Sequence, residues 1–329
     1  MSLNSQTTVS VIIPVYNGSK FVKAAIDSVL GQTYKNIEII VIDDGSTDDS
    51  RKMVESYRQA GQVKYIYQAN RGLSGARNAG IRAASGKYLK FLDCDDFLYP
   101  KQIELQVEHL RGKTDLISFT DHLKLFDDGS EKARDTWLDE DNQLAQMIAS
   151  NFMPVHSVLV ESRLVVQAGG FDEELTALED ADLWLRLLLK GARIGKVNYV
   201  GCCYRIVNNS LSSNADKMFL MRCKVSEKLN ALMLPRLKEV TGETLEALLA
   251  HNTKLIDGCF ARKLDLKHYL STTLLCTQFL TLQHKRGFRK KFFKLLGCQP
   301  YMQLKYYFNR LRFKGYQNSL IFDEIKWRK

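Results

Sequence analysis

The chain is short of the residues that staple, break or link a fold. Five prolines in 329 residues are too few for a Pro-rich linker, and with 45% hydrophobic residues the composition excludes intrinsic disorder. The 7 cysteines are an odd number without a Cys-x-x-Cys pair. Scattered from Cys94 to Cys298, they fit free thiols in a reducing compartment better than a disulfide framework. No apolar run approaches the ~18 residues needed to cross a bilayer. The nearest, Tyr269–Leu282, contains four threonines and reads as a buried helix. Met1 to Gln6 carry no basic-plus-apolar leader, so the expected location is cytoplasmic. No Gly-x-Gly-x-x-Gly follows the first apolar run, which removes a dinucleotide-binding dehydrogenase.

Acidic residues are scarce at one end. Residues 215–329 hold 23 Lys and Arg against 9 Asp and Glu, leaving 24 basic and 28 acidic residues in the remainder. Between 284 and 314 there are ten basic residues, eight aromatics and no acid. Such a surface attracts anions, whether nucleic acid or anionic lipid. A boundary near Asn214 divides an expected domain over 1–214 from a basic, mainly helical region over 215–329, in which Met218–Leu234 and Thr244–Ile256 have helical spacing.

The N-terminal region is rich in apolar runs that end in polar turns. Val9–Val15 reads as a buried strand running into Tyr16-Asn17, and Ile37–Ile42 as a second running into Asp43-Asp44-Gly45-Ser46-Thr47-Asp48, where Ser and Asp can cap a helix. Asn70 to Gly80 is a small-residue segment opening a helix. Tyr88–Leu92 is a third strand, followed by Asp93-Cys94-Asp95-Asp96. Three carboxylates in four residues resist full ionisation unless a cation joins them. Their oxygens suit magnesium or manganese. Strands alternating with helices at this spacing predict an α/β fold with a mostly parallel, doubly wound sheet, which binds ligands at the carboxyl ends of its strands.

Five motifs in order, Pro-Val-Tyr-Asn, Asp-Asp-Gly-Ser-Thr-Asp, Arg-Gly-Leu-Ser-Gly-Ala-Arg-Asn, Asp-Cys-Asp-Asp and Glu179-Asp180-Ala181-Asp182-Leu183-Trp184, resemble those of family 2 glycosyltransferases over residues 8 to 214. The resemblance implies the GT-A nucleotide-diphospho-sugar transferase fold and inverting transfer of a sugar from a nucleotide diphosphate, with uridine favoured, to a hydroxyl of a glycan or lipid-linked acceptor. It implies nucleotide contacts at Pro14, Val15, Tyr16, Asp44, Arg77 and Asp93. A Mg2+ or Mn2+ ion is expected on Asp95, with Asp93 and Asp96 beside it. Asp180 matches the general base and Glu179 its neighbour, whereas Asp182, two residues on, would point elsewhere on a helix. His156, Trp184 and Arg205 are candidates for the acceptor or the diphosphate. Asn208 departs from the family, where His is common. For this family the basic tail points to the inner face of a cytoplasmic membrane rather than to nucleic acid. Two other readings carry less. A pyrophosphorylase needs a basic Gly-rich loop after the first strand, where Pro14 to Gly18 stand, and a non-catalytic scaffold would not need the full acidic set.

Overall fold

The computed structural model describes residues 7–206, 214–236 and 239–262. Asn208, the helix expected at Tyr269–Leu282 and the basic segment 284–314 lie outside the described residues. The chain divides into two compact units, Met1–Val225 and Ser226–Lys329.

In the first unit, β1 (Val9–Val15), α1 (Val22–Leu30), β2 (Ile37–Asp43), α2 (Ser50–Gln59), β3 (Lys64–Tyr67), α3 (Gly72–Ala83) and β4 (Tyr88–Phe91) alternate as expected. Every residue of β1 is buried, the property of a central strand covered on both faces. Each Val or Ile so covered contributes about 2 kcal/mol relative to exposure. Helix α1 buries Val22, Ala25, Ile26 and Val29, the i, i+3, i+4, i+7 stripe of a helix lying on a core. Gly80 lets α3 approach closely, since a Cβ there would lie 2.3 Å from Ile12 Cγ2.

β5 (Phe97–Leu98), α4 (Gln102–Leu110), β6 (Leu116–Phe126), β7 (Glu131–Arg134), α5 (Gln143–Ala149), β8 (Val158–Glu161), α6 (Ser162–Gln167), α7 (Glu179–Leu189) and β9 (Arg193–Ile206) complete the sheet. Its order is β3-β2-β1-β4-β8-β6-β9-β5, with β7 paired to β6. Strands β1 to β4 are mutually parallel, as expected. Beyond β4 the sheet is mixed: β8 runs antiparallel to both β4 and β6, while β6 and β9 are parallel.

In the second unit, α9 (Gly242–Ala261) is tied to the end of α8 (Ala215–Met233) by Ser226 Oγ and His251 Nε2, 2.6 Å apart, and by reciprocal Asn230–Asn252 side-chain hydrogen bonds. Among the described residues, no helix is long and apolar enough to cross a membrane.

Candidate active site

The parallel register brings three polar turns to one edge. Val15 pairs with Asp43, Asp44 N–H donates to Val15 C=O at 2.8 Å, and Leu92 N–H donates to Ile12 C=O at 3.0 Å. The turns after β1 and β2 interlock. Asn17, in the left-handed region at φ 52, donates its N–H to Ser46 Oγ at 3.0 Å and accepts from Thr47 N–H at 2.8 Å. Asp48 both accepts from Ser50 N–H at the start of α2 and reaches back to Ser19 N–H. The residues expected to cap a helix therefore also pin the first turn. Pro14 and Val15 are buried, whereas Tyr16 is 55% exposed, its ring offered to solvent rather than the core. Asp44 is buried and accepts from Gln68 Nε2 at 2.6 Å and Arg71 N–H at 2.9 Å.

The acidic loop follows β4. Asp93, Asp96 and His156 each offer a ligand atom, all within 4.8 Å of one another. Asp96 is buried, with Oδ1 accepting from Arg205 N–H at 2.7 Å. Its Oδ2 lies 3.0 Å from His156 Nδ1, at ion-pair distance but off the line of a hydrogen bond. Burial pushes the Asp96 carboxyl up, against the opposing pull of His156. Burial opposes charge on His156, but Asp96 and Cys202 together outweigh it and hold the imidazole well above its ordinary value. Asp95 stands outside this trio. Its carboxyl is pushed up to about 7 by burial and then by Asp96 and Asp93, and its backbone carbonyl accepts from Arg205 Nε at 2.9 Å. A divalent cation is what such a set of carboxylates lacks for full ionisation. Asp93, Asp96 and His156 at this separation form a candidate site for a divalent ion.

Helix α3 is the platform that carries the third motif to this edge. Asn78 exchanges two hydrogen bonds with the Phe171 backbone and also donates to Glu173 Oε1. Arg71 pairs with Glu173 at 2.8 Å, and Ser74 Oγ donates to Leu175 C=O. Segment 171–179 is thus laid along α3 and enters α7 through Leu178, a non-glycine residue at φ 60. Arg77, fully buried, donates Nη1 to Glu179 Oε1 at 2.5 Å and Nη2 to Asp93 Oδ1 at 2.6 Å. Asp180 is partly buried as a residue and its carboxyl is enclosed. It accepts from Asn151 Nδ2 at 3.1 Å and Ala181 N–H at 2.7 Å. Burial and then Glu179 push its carboxyl up to about 6, against the pull of Arg77.

The structure therefore joins Asp93, Arg77, Glu179 and Asp180 in one chain, and Asp93, Asp96, His156 and Arg205 in another. Asp182 is turned away into a pair with Arg186 at 2.7 Å. Trp184 is completely buried and donates Nε1 to Met153 C=O at 3.1 Å. The sequence alone did not single out Asn151, Gln68 or Asn78. The first two lack any local signal, whereas Asn78 lies inside a motif whose other members drew attention.

The glycosyl transferase family 2 model matches residues 10–153. The chain is 30% identical over 214 residues to the putative teichuronic acid biosynthesis glycosyltransferase TuaG of Bacillus subtilis, covering 64% of this chain and 84% of TuaG. The fold and site define an α/β enzyme framework, and the chain belongs to glycosyl transferase family 2. It is also 39% identical over 186 residues to the uncharacterized glycosyltransferase RP339 of Rickettsia prowazekii, covering 54% of this chain and 58% of that relative, little more than half its length. The fold matches that of S. aureus TarS residues 1–349 in complex with UDP-GlcNAc, with a TM-score of 0.62, 18% identity and coverage of 83% and 81%. It also matches the mannosyltransferase PcManGT of Pyrobaculum calidifontis in complex with GDP-Man and Mn2+, with a TM-score of 0.53, 15% identity and coverage of 90% and 82%.

Proposed function

We propose that the protein transfers a sugar, with inversion, from a nucleotide diphosphate to a hydroxyl of a glycan or lipid-linked acceptor. The observation that carries this reading is the convergence of Asp44, the Asp93–Asp96 loop and Asp180, drawn from three distant motifs, on one edge of the sheet. Pro14, Val15 and exposed Tyr16 form one wall for the base. Asp44 is the acceptor that favours the imide N–H of uracil, and Gln68 and Arg71 fix its orientation. Asp93, Asp96 and His156, with Asp95 beside them, would hold Mg2+ or Mn2+, which supplies charge neutralisation for the leaving diphosphate. Arg205 stands over this loop, anchored on Asp95 and Asp96. Asp180 takes the proton from the acceptor oxygen. Its raised pKa brings it nearer the operating pH, as a general base requires. Trp184 and its bond to Met153 stiffen the helix that presents Asp180. The acceptor class, and attachment of residues 284–314 to an anionic inner-membrane face, rest on family resemblance and on the charge of that segment.

Asp180→Asn keeps the size and the Asn151 contact but removes the base. Turnover, read as UDP release from a panel of UDP-sugars, should fall by roughly two to four orders of magnitude with UDP binding unchanged. NMR should show product of inverted anomeric configuration. Near-normal turnover in the variant, or retained configuration, overturns the reading.

A further inference from the structure

Arg77 occupies a place that the transfer chemistry alone does not account for. It is the largest fully buried charged side chain among the described residues, 1% exposed, and its two terminal nitrogens go to carboxylates of two different segments. Asp93 lies 16 residues away in the acidic loop, and Glu179 lies 102 residues away at the start of α7. The guanidinium also lies over the Phe171 ring at 5.2 Å, so segment 171–179 closes around it. A planar fork with fixed N–H directions can set the distance between two carboxylates in a way that a flexible ammonium cannot. The support behind it is rigid, because α3 sits against β1 through Gly80 and grips Phe171 and Glu173 through Asn78.

We propose that Arg77 is a positioning residue that clamps the base-bearing start of α7 to the donor-side acidic loop, acting through Glu179 and Asp93. This rests on the reading of Asp180 as base. In that arrangement Glu179 is the handle by which α7 is held, and Asp180, next along the chain, is the group delivered. Loading the donor side and aiming the base then become one structural event.

A double-mutant cycle tests it, with UDP release from UDP-GlcNAc in Mn2+ as the probe. Arg77→Met should lower kcat by about a hundredfold, and Arg77→Lys, which keeps the charge and loses the fork, by about tenfold, the range of a misplaced catalytic group. Glu179→Gln added to either should cost little more, since both remove one linkage. Should Arg77→Met not fold, the cycle is read with Arg77→Lys. Losses that multiply overturn the clamp.

A second measurement needs no turnover. The Asp180 carboxyl, faced by Glu179, Arg77 and Asn151, is titrated by NMR in the metal-free protein. Its midpoint should move upward in Arg77→Met and remain near wild type in Arg77→Lys. An unmoved midpoint in Arg77→Met also overturns the proposal. If UDP-GlcNAc is not turned over, the titration decides alone. Failure of Asp180→Asn to reduce turnover would instead remove the base role and leave the clamp measurable.

Discussion

The two acidic clusters, Asp93–Asp96 and Glu179–Asp180, share residue types and differ in what balances them. The first places two carboxylates, Asp93 and Asp96, near a buried imidazole and leaves Asp95 beside them with a pKa of about 7, pushed up by burial and by its own neighbours. The second shares Arg77, which pairs with both Asp93 and Glu179, and adds an asparagine on Asp180 and the start of a helix, where backbone N–H groups favour negative charge. The first is under-compensated and calls for a cation. The second holds Glu179 on Arg77 and Asp180 on Asn151. Acidic residues close in sequence therefore do different work according to the countercharge that the fold brings to them.

Substitutions in the acidic loop should break this contrast most severely. Asp95→Asn should abolish metal-dependent UDP binding with little loss of stability, because its carboxylate is not committed to a protein partner. Asp96→Asn should instead destabilise the fold by about 3 kcal/mol, since it leaves the buried His156 without its countercharge. Calorimetric titration with UDP and Mn2+, beside thermal melts, separates the two. Equal effects at both positions would remove the distinction. A sharper test uses pH. Asp180 must be ionised to accept a proton, and its pKa is about 6. Turnover should therefore fall about tenfold per unit below pH 6 and level off above it. A flat profile between pH 5 and pH 7, with chemistry rate-limiting, would assign the base elsewhere.

A further pH effect lies in the sheet, at Lys90 on β4. Lys90 is completely buried with Gln106 Oε1 at 2.9 Å, and burial pushes its pKa down to about 7 from an ordinary 10.5. The unfolded chain binds the proton over that window and the folded chain does not. Stability should therefore decline as pH falls from about 10 to about 7, by up to about 1.4 kcal/mol per unit. Denaturant melts of Lys90→Met should show a shallower decline. An unchanged slope would mean that Lys90 keeps its charge in the fold.

The parallel part of the fold was legible because β1, β2 and β4 are short buried apolar runs that end in polar turns. The direction of β8 was not, since nothing local in Val158–Glu161 encodes whether it meets β4 parallel or antiparallel. The carboxylates of the candidate site could be picked out by clustering and resemblance. Their countercharges could not, because the partners of Arg77 and Asp180 are far away in sequence and chosen by packing. Asp182 is an exception: its Arg186 partner stands four residues on, at helical spacing.

The first turn and the acidic loop also touch where neither carries charge. A Cβ on Gly18 would fall 2.7 Å from Cys94 Sγ and 3.2 Å from Val15 Cγ1. The residue between the two acids of Asp93-Cys94-Asp95 and the glycine after the first strand therefore share one small volume. Sequence drift at either position is constrained by the other. A larger side chain at 18 becomes tolerable only with a smaller one at 94, so homologous chains should vary these positions in opposite directions, as a covarying pair lying across the carboxyl edge of the sheet.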